Sequence, residues 1–199
     1  LDRRQRQMCI RDRFFNRGMK RLFLAIDIPE DIKDDLLDLR INALDVNWTA
    51  WENYHLTLKF LGDELSARDE KDIIYKLEKL SFEEMTISIQ SVGFFGSERN
   101  PRVLYAGVEK SDLLLDLQSG IIKSLENQSF ILEKKKYIPH ITLGRPKKLS
   151  YEKVAQFLQL FSTFRSREFK VDKYYLIKSS LTRHGPHYQK IHEFELDSY

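Results

Sequence analysis

The stretch Tyr54-His55-Leu56-Thr57-Leu58-Lys59-Phe60-Leu61 alternates aliphatic residues with residues that carry chemistry, which is the period of a β-strand. Side chains on a strand alternate between faces, so Leu56 and Leu58 point into a core while His55 and Thr57 share the opposite face. One such strand proves little, because a half-buried strand acquires a His and a Thr by chance. A second copy changes the weighing. Pro139-His140-Ile141-Thr142-Leu143-Gly144-Arg145 repeats the His-aliphatic-Thr-Leu pattern 85 positions later, about half of the 181 residues from Met19 onward. That spacing predicts two related lobes facing each other across a pseudo-two-fold, with one motif from each lining a shared cleft.

Outward from the motifs, the chain reads as alternating strands and helices. Leu22–Ile28 is a buried strand, and Pro29 opens a helix to about Leu44 with Ile32, Leu36, Leu37 and Ile41 on one face. Asp45–Asn53 is a connection into the first motif strand, which Gly62 ends. Ser66 caps a helix with Asp69 three residues on, and Ile73 and Leu77 face inward. Met85–Ile89 and Val103–Val108 are strands with a turn over Gly96–Pro101. Ser111 caps a helix striped by Leu114, Leu117, Ile121 and Leu125. After the second motif, Ser150 caps a helix carrying Val154, Leu158 and Phe161. A strand over Phe169–Lys178, a loop over Thr182–His187 and a strand over Tyr188–Leu196 complete the chain.

Composition excludes some classes of function. No apolar run approaches the roughly 18–20 residues of a membrane span, and no short repeat or low-complexity tract is visible. The only cysteine, Cys9, has no disulfide partner and no metal-site neighbours, which points to a reducing compartment and predicts the cytoplasm. The net charge of +3 misleads, since residues 1–18 hold six Arg against two Asp and the remainder stands at −1. Residues 1–18 show no periodicity and read as a disordered or non-native leader. Residues 19–199 read as a single bilobal domain whose positive field, if any, is local.

Taken together, these blocks resemble the two-histidine phosphoesterases, and within them the RNA 2′,3′-cyclic phosphodiesterase branch also called 2′-5′ RNA ligase. Met19-Lys-Arg-Leu-Phe-Leu-Ala-Ile-Asp-Ile-Pro29 is similar to the family's opening strand, and Trp51–Gly62 to its first motif block. Pro101–Gly107 is similar to the central strand and His140–Arg145 to the second motif, with Gly144 and Tyr105 as small departures. The resemblance implies an α+β fold with antiparallel sheets facing the cleft. It also implies an enzyme that hydrolyses RNA 2′,3′-cyclic phosphate ends to 2′-phosphomonoesters, with His55 as proton donor to O3′ and His140 as proton acceptor.

The residues themselves support that chemistry without deciding the roles. Hydrolysis needs an activated water, a protonated leaving alkoxide and stabilised non-bridging oxygens. Histidine's pKa near 6.5 lets one imidazole be neutral and its partner protonated at neutral pH. Thr57 and Thr142 share faces with the histidines and can donate to phosphate oxygens. Residues 133–148 carry Lys134, Lys135, Lys136, Arg145, Lys147 and Lys148 against Glu133, and Arg145 is the best-placed phosphate ligand.

No metal and no cofactor is expected: His184, His187 and His192 lack partner cysteines and surround the turn Gly185-Pro186. Tyr54, Phe94, Phe95 and Tyr137 serve either as core and cleft wall or as stacking surfaces for a base. The expected partner is an RNA or oligonucleotide end, bound by a monomer. Two readings compete: an enzyme of the same group acting on 2′-5′ oligonucleotides or another small phosphodiester, and a non-catalytic RNA-end-binding module. Because nothing in residues 1–18 has the periodicity to pack against a core, their deletion is expected to leave melting temperature and phosphodiester turnover unchanged.

Overall fold

The computed structural model describes residues 18–126, 136–183 and 185–198. The leader up to residue 17, Lys134, Lys135 and His184 lie outside them. Strand β1 (Lys20–Asp27) is covered on both faces, with Leu22 through Ile26 at most 5 % exposed. An unbroken apolar run has no side to give to water, and β1 accordingly lies between β3 (His55–Leu65) and β9 (Lys173–Thr182).

Helix α1 (Glu30–Leu37) stops a full two turns before Leu44, where its periodicity predicts the end. Asp34, Asp35 and Asp38 gather towards the negative end of the helix dipole, and no basic residue sits in the last turn to offset them. Arg40 is instead drawn out of helical register, donating to the Tyr54 hydroxyl at 3.1 Å and to the Thr49 carbonyl. The expected connection after it contains a strand, β2 (Val46–Trp48), which pairs with β7 (His140–Pro146). Gly144 makes this pairing possible. A Cβ there would lie 2.6 Å from Val46 Cγ1 and 3.0 Å from both the Asn47 carbonyl and the Trp48 ring. Gly62 does not end β3. Its φ of +152° sits where the register with β1 slips, so the glycine makes a bulge and the strand continues to Leu65.

Helix α2 (Ala67–Leu77) starts at the expected capping box: Ser66 Oγ accepts from the Asp69 amide, and the Asp69 carboxylate accepts from the Ser66 amide at 2.7 Å. Two expected strands divide. Met85–Ile89 splits at buried Ser88 into β4 (Met85–Ile87) and the start of β5 (Ile89–Ser97), and Phe169–Lys178 splits into β8 (Phe169–Val171) and β9. Alternation runs through both pieces in each case, so the pattern carries no mark where the chain leaves one sheet for another. Strand β6 (Asn100–Val108) precedes helix α3 (Asp112–Leu125), capped by Ser111 Oγ accepting from Leu114 N. In helix α4 (Tyr151–Leu160) Ser150 holds the cap position without a side-chain cap bond, and Val154 and Phe157 are the buried pair. Leu158 and Phe161 pack only partly buried beside them. The last loop contracts to a hairpin turn, and β10 (Gly185–Glu195) begins at its glycine.

The main sheet is antiparallel, in the order β10-β9-β1-β3-β7-β6-β5 with β2 on β7, and β4 and β8 form a second small sheet. Helix residues Ile32, Leu36, Ile73, Leu77, Leu117 and Phe157 join Leu56, Leu58, Ile141 and Leu143 in one core on the helix side of the main sheet. Two repeats are visible, β1-α1-β3-α2-β4-β5 and β6-α3-β7-α4-β8-β9, and they exchange their last strands. β5 pairs with β6 of the second repeat, and β9 pairs with β1 of the first. Neither half of the sequence is therefore a lobe by itself. Among the described residues, no helix is long and apolar enough to cross a membrane.

Gly144→Ala is expected to destabilise the protein by about 1–3 kcal/mol, the usual penalty of forcing extra volume into a packed contact. Urea unfolding would show the loss as a lower midpoint with an unchanged slope.

Candidate active site

β3 and β7 meet as antiparallel neighbours at one registered pair, Leu56 opposite Ile141. Continued by one step each way, that register sets His55 across from Thr142 and Thr57 across from His140. The four motif side chains thus share one face in a crossed arrangement. They are half-buried, while Leu56, Leu58, Ile141 and Leu143 behind them are at most 2 % exposed.

Each imidazole is fixed by the same device. His55 Nδ1 lies 2.7 Å from the Asn53 carbonyl and His140 Nδ1 lies 2.7 Å from the Ile138 carbonyl, two residues back in both cases. A carbonyl accepts only, so each Nδ1 carries a proton and each Nε2 is left for chemistry. Rings then hold the imidazole planes. Phe23 and Tyr188 stand 5.0 and 5.2 Å from His55, and Phe95 and Tyr105 stand 4.7 and 5.4 Å from His140. Gly93 leaves room for the Tyr105 ring, which an added Cβ would meet at 2.4 Å.

Charge breaks this symmetry. In the sheet register Asp27 stands opposite His55, whereas Gly107 stands opposite His140. Burial works to raise the Asp27 pKa, but the ammoniums of Lys190 at 2.5 Å and Lys33 at 2.9 Å hold the carboxyl below its ordinary value. Burial lowers the pKa of both histidines. For His55 the bond to Asn53 and the Asp27 carboxylate pull the other way, with His140 and Lys33 adding to the depression. For His140 only the bond to Ile138 opposes it.

A cleft of about 970 Å³ opens on this face, walled by His55, Thr57, Thr142 and Arg145 among others. His140 stands on the same face, across from Thr57 and against Phe95 and Tyr105. Among the described residues of the basic stretch after residue 133, Arg145 alone reaches the cleft. Lys147 turns to Asp45 at 3.6 Å, and Lys136 and Lys148 are exposed elsewhere.

The four aromatics singled out in the sequence divide. Tyr54 is core, Phe94 packs on Tyr151, Phe95 walls His140, and Tyr137 donates to the Thr57 carbonyl at 3.2 Å. His192 pairs with Glu78 at 3.1 Å, His187 lies opposite Ser180, and no group of three His, Cys, Asp or Glu that could hold a metal occurs among the described residues. The sequence reading gave no role to Asp27, Phe23 or Tyr188. Asp27 left a signal in being the one acidic residue of an otherwise apolar strand end.

Comparison with known proteins agrees with this geometry. The profile of the LigT like Phosphoesterase family matches residues 26–105 and again 107–188, one match for each repeat. An RNA 2′,3′-cyclic phosphodiesterase of Thermotoga maritima is 31 % identical over 89 % of this chain and 96 % of its own length. One of Methanocaldococcus jannaschii is 33 % identical over 87 % of this chain and 99 % of its own. Among solved structures, Escherichia coli LigT complexed with 3′-AMP superposes with a TM-score of 0.74 at 22 % identity, covering 90 % of this chain and 99 % of that one. TT0787 of Thermus thermophilus does so with a TM-score of 0.74 at 24 % identity, over 88 % and 97 % of the two chains. With both repeats matched and its motif strands paired at the seam of the sheet, the chain belongs to the LigT-like, two-histidine phosphoesterase family.

Proposed function

We propose that this protein hydrolyses RNA 2′,3′-cyclic phosphate ends to 2′-phosphomonoesters by general acid–base catalysis from its own side chains. The observation that carries the reading is the crossed His–Thr pair with both Nδ1 atoms tied to backbone carbonyls. The names of the Thermotoga maritima and Methanocaldococcus jannaschii relatives support the substrate.

In this reading His140 Nε2 takes a proton from water as its oxygen bonds to phosphorus. The P–O3′ bond breaks, and His55 Nε2–H protonates the departing O3′. The product is a 2′-phosphate beside a free 3′-hydroxyl. Thr57 and Thr142 donate to the non-bridging oxygens, and Arg145 supplies a fixed positive charge.

One feature of the site favours this division of labour: Asp27 stands opposite His55 and favours its protonated form, whereas among the described residues no carboxylate stands opposite His140 in the register. The lone Cys9 suits a reducing compartment, and we place the enzyme as a monomer in the cytoplasm.

His55→Ala and His140→Ala are each expected to lower kcat by about 10²–10⁴-fold without unfolding the protein. The double variant should be little worse than either single one, because the residues act as a unit. Turnover of an RNA ending in a 2′,3′-cyclic phosphate, measured in EDTA, with the product identified as 2′- or 3′-phosphate, tests the residues, the metal independence and the orientation together. Near wild-type rates in either variant, dependence on Mg²⁺, or a 3′-phosphate product would each contradict the corresponding part.

Because burial depresses both imidazoles, the two limbs of the kcat/KM profile should fall below the ordinary histidine value of about 6.5. The rate declines at low pH as the base is protonated and at high pH as the acid loses its proton. Both apparent values belong to the coupled pair. Asp27→Asn removes the charge that props up His55, so the profile should move to lower pH. A purely structural role for Asp27 would scale the rate equally at every pH.

A further inference from the structure

We propose that the cleft binds a second phosphate, the one 5′ to the terminal nucleotide, between Arg21 and Arg183. An RNA end is then gripped at two phosphates, and a nucleoside cyclic phosphate at only one. This rests on the reading of the site as a cyclic phosphodiesterase.

The first ground is charge. Among the described residues, the cleft wall contains Arg21, Arg145 and Arg183 and no carboxylate, in a chain that carries net −1 outside its leader. Arg145, on the motif strand three residues past Thr142, serves the reacting phosphate, which leaves two arginines beyond the need of one phosphodiester.

The second ground is position. Arg21 lies on β1 two residues before Phe23, the ring against His55, and two strand residues span about 7 Å. That is comparable to one nucleotide step along a single strand. Arg21 is opposite Ser179 on β9, and Arg183 directly follows the end of β9 on the same wall. The site therefore extends from the acid side of the catalytic pair, where an RNA body joined through its ribose has to lie.

The third ground is how the two side chains are held. The Arg21 guanidinium sits 5.0 Å above the Phe60 ring, which positions it, and its ion pair with Asp63 at 3.0 Å is solvent-exposed on both sides and so weak. Among the described residues, no ion pair engages Arg183. Phe60 and Leu181, 40 % and 82 % exposed, leave apolar surface beside them on the wall. Cations that track a backbone, with apolar surface between them, are how single strands are bound without sequence preference.

The experiment compares kcat/KM for a nucleoside 2′,3′-cyclic phosphate with that for a dinucleotide ending in the same group. It uses the full chain and the variants Arg21→Gln, Arg183→Gln and the double. One charge-assisted contact is worth enough for the dinucleotide to be preferred by roughly tenfold or more. The double variant should bring that ratio close to one, and rising salt should erode it in the wild type. Equal kcat/KM for the two wild-type substrates, or a loss in the variants shared equally by both, overturns the proposal.

Calorimetric binding of a dinucleotide ending in a 2′-phosphate against a nucleoside 2′-phosphate reads the same subsite without turnover. Absent turnover with a preserved binding preference would remove the cyclic phosphodiesterase reading and leave the second phosphate site. Turnover without any preference in either assay would do the reverse.

Discussion

Leu56 and Ile141, both without measurable exposure, form the only registered pair between β3 and β7. Antiparallel geometry turns that one contact into the whole site. Once two aliphatic side chains are fixed back to back in the core, their neighbours are forced to the other face, histidine across from threonine on both diagonals. A slip of one residue would send all four to the helix side, where burial without partners is costly. The apolar core thus sets the register of the chemistry. The rest of the sheet serves this seam: β1 and β6 brace it from either side, and the carbonyls of Asn53 and Ile138 orient the rings that emerge from it.

A symmetric pair of imidazoles cannot run a directional reaction, and the departures from symmetry are concentrated where direction is needed. A carboxylate faces one ring and a glycine the other. Asp27 is itself held by two ammoniums, so its influence on His55 is that of a partly compensated charge. In the proposed mechanism that charge favours the proton on His55 against the burial that lowers its pKa.

Much of this was legible in the chain. Both motif strands, the capping box of α2, the cap of α3 and the apolar stripes of those helices followed from local pattern, because local chemistry decides them. Among the features that escaped, three did so for reasons of non-local origin. β2 depends on the hole that Gly144 leaves almost one hundred residues away, which no window around Val46 contains. The breaks at Ser88 and between β8 and β9 interrupt hydrogen bonding without interrupting alternation. Gly62 looks like a stop in sequence, and only its place against β1 makes it a bulge. At the site, His55, Thr57, His140, Thr142 and Arg145 were visible as a repeated pattern, whereas Asp27 and Phe23 gain their positions through pairing across strands.

The exchange of β5 and β9 between the repeats sets an order on synthesis. Arg21 pairs with Ser179, so the inner strand of the first lobe waits for a partner made 158 residues later. Until then one edge of an apolar strand, buried on both faces in the finished protein, stands open to other chains. β5 and β6, by contrast, are joined by a short turn and can zip as soon as they emerge. The nascent chain therefore completes the lobe that carries the second motif before the one that carries the first. Slow, long-range closure by β9 is the step most exposed to aggregation.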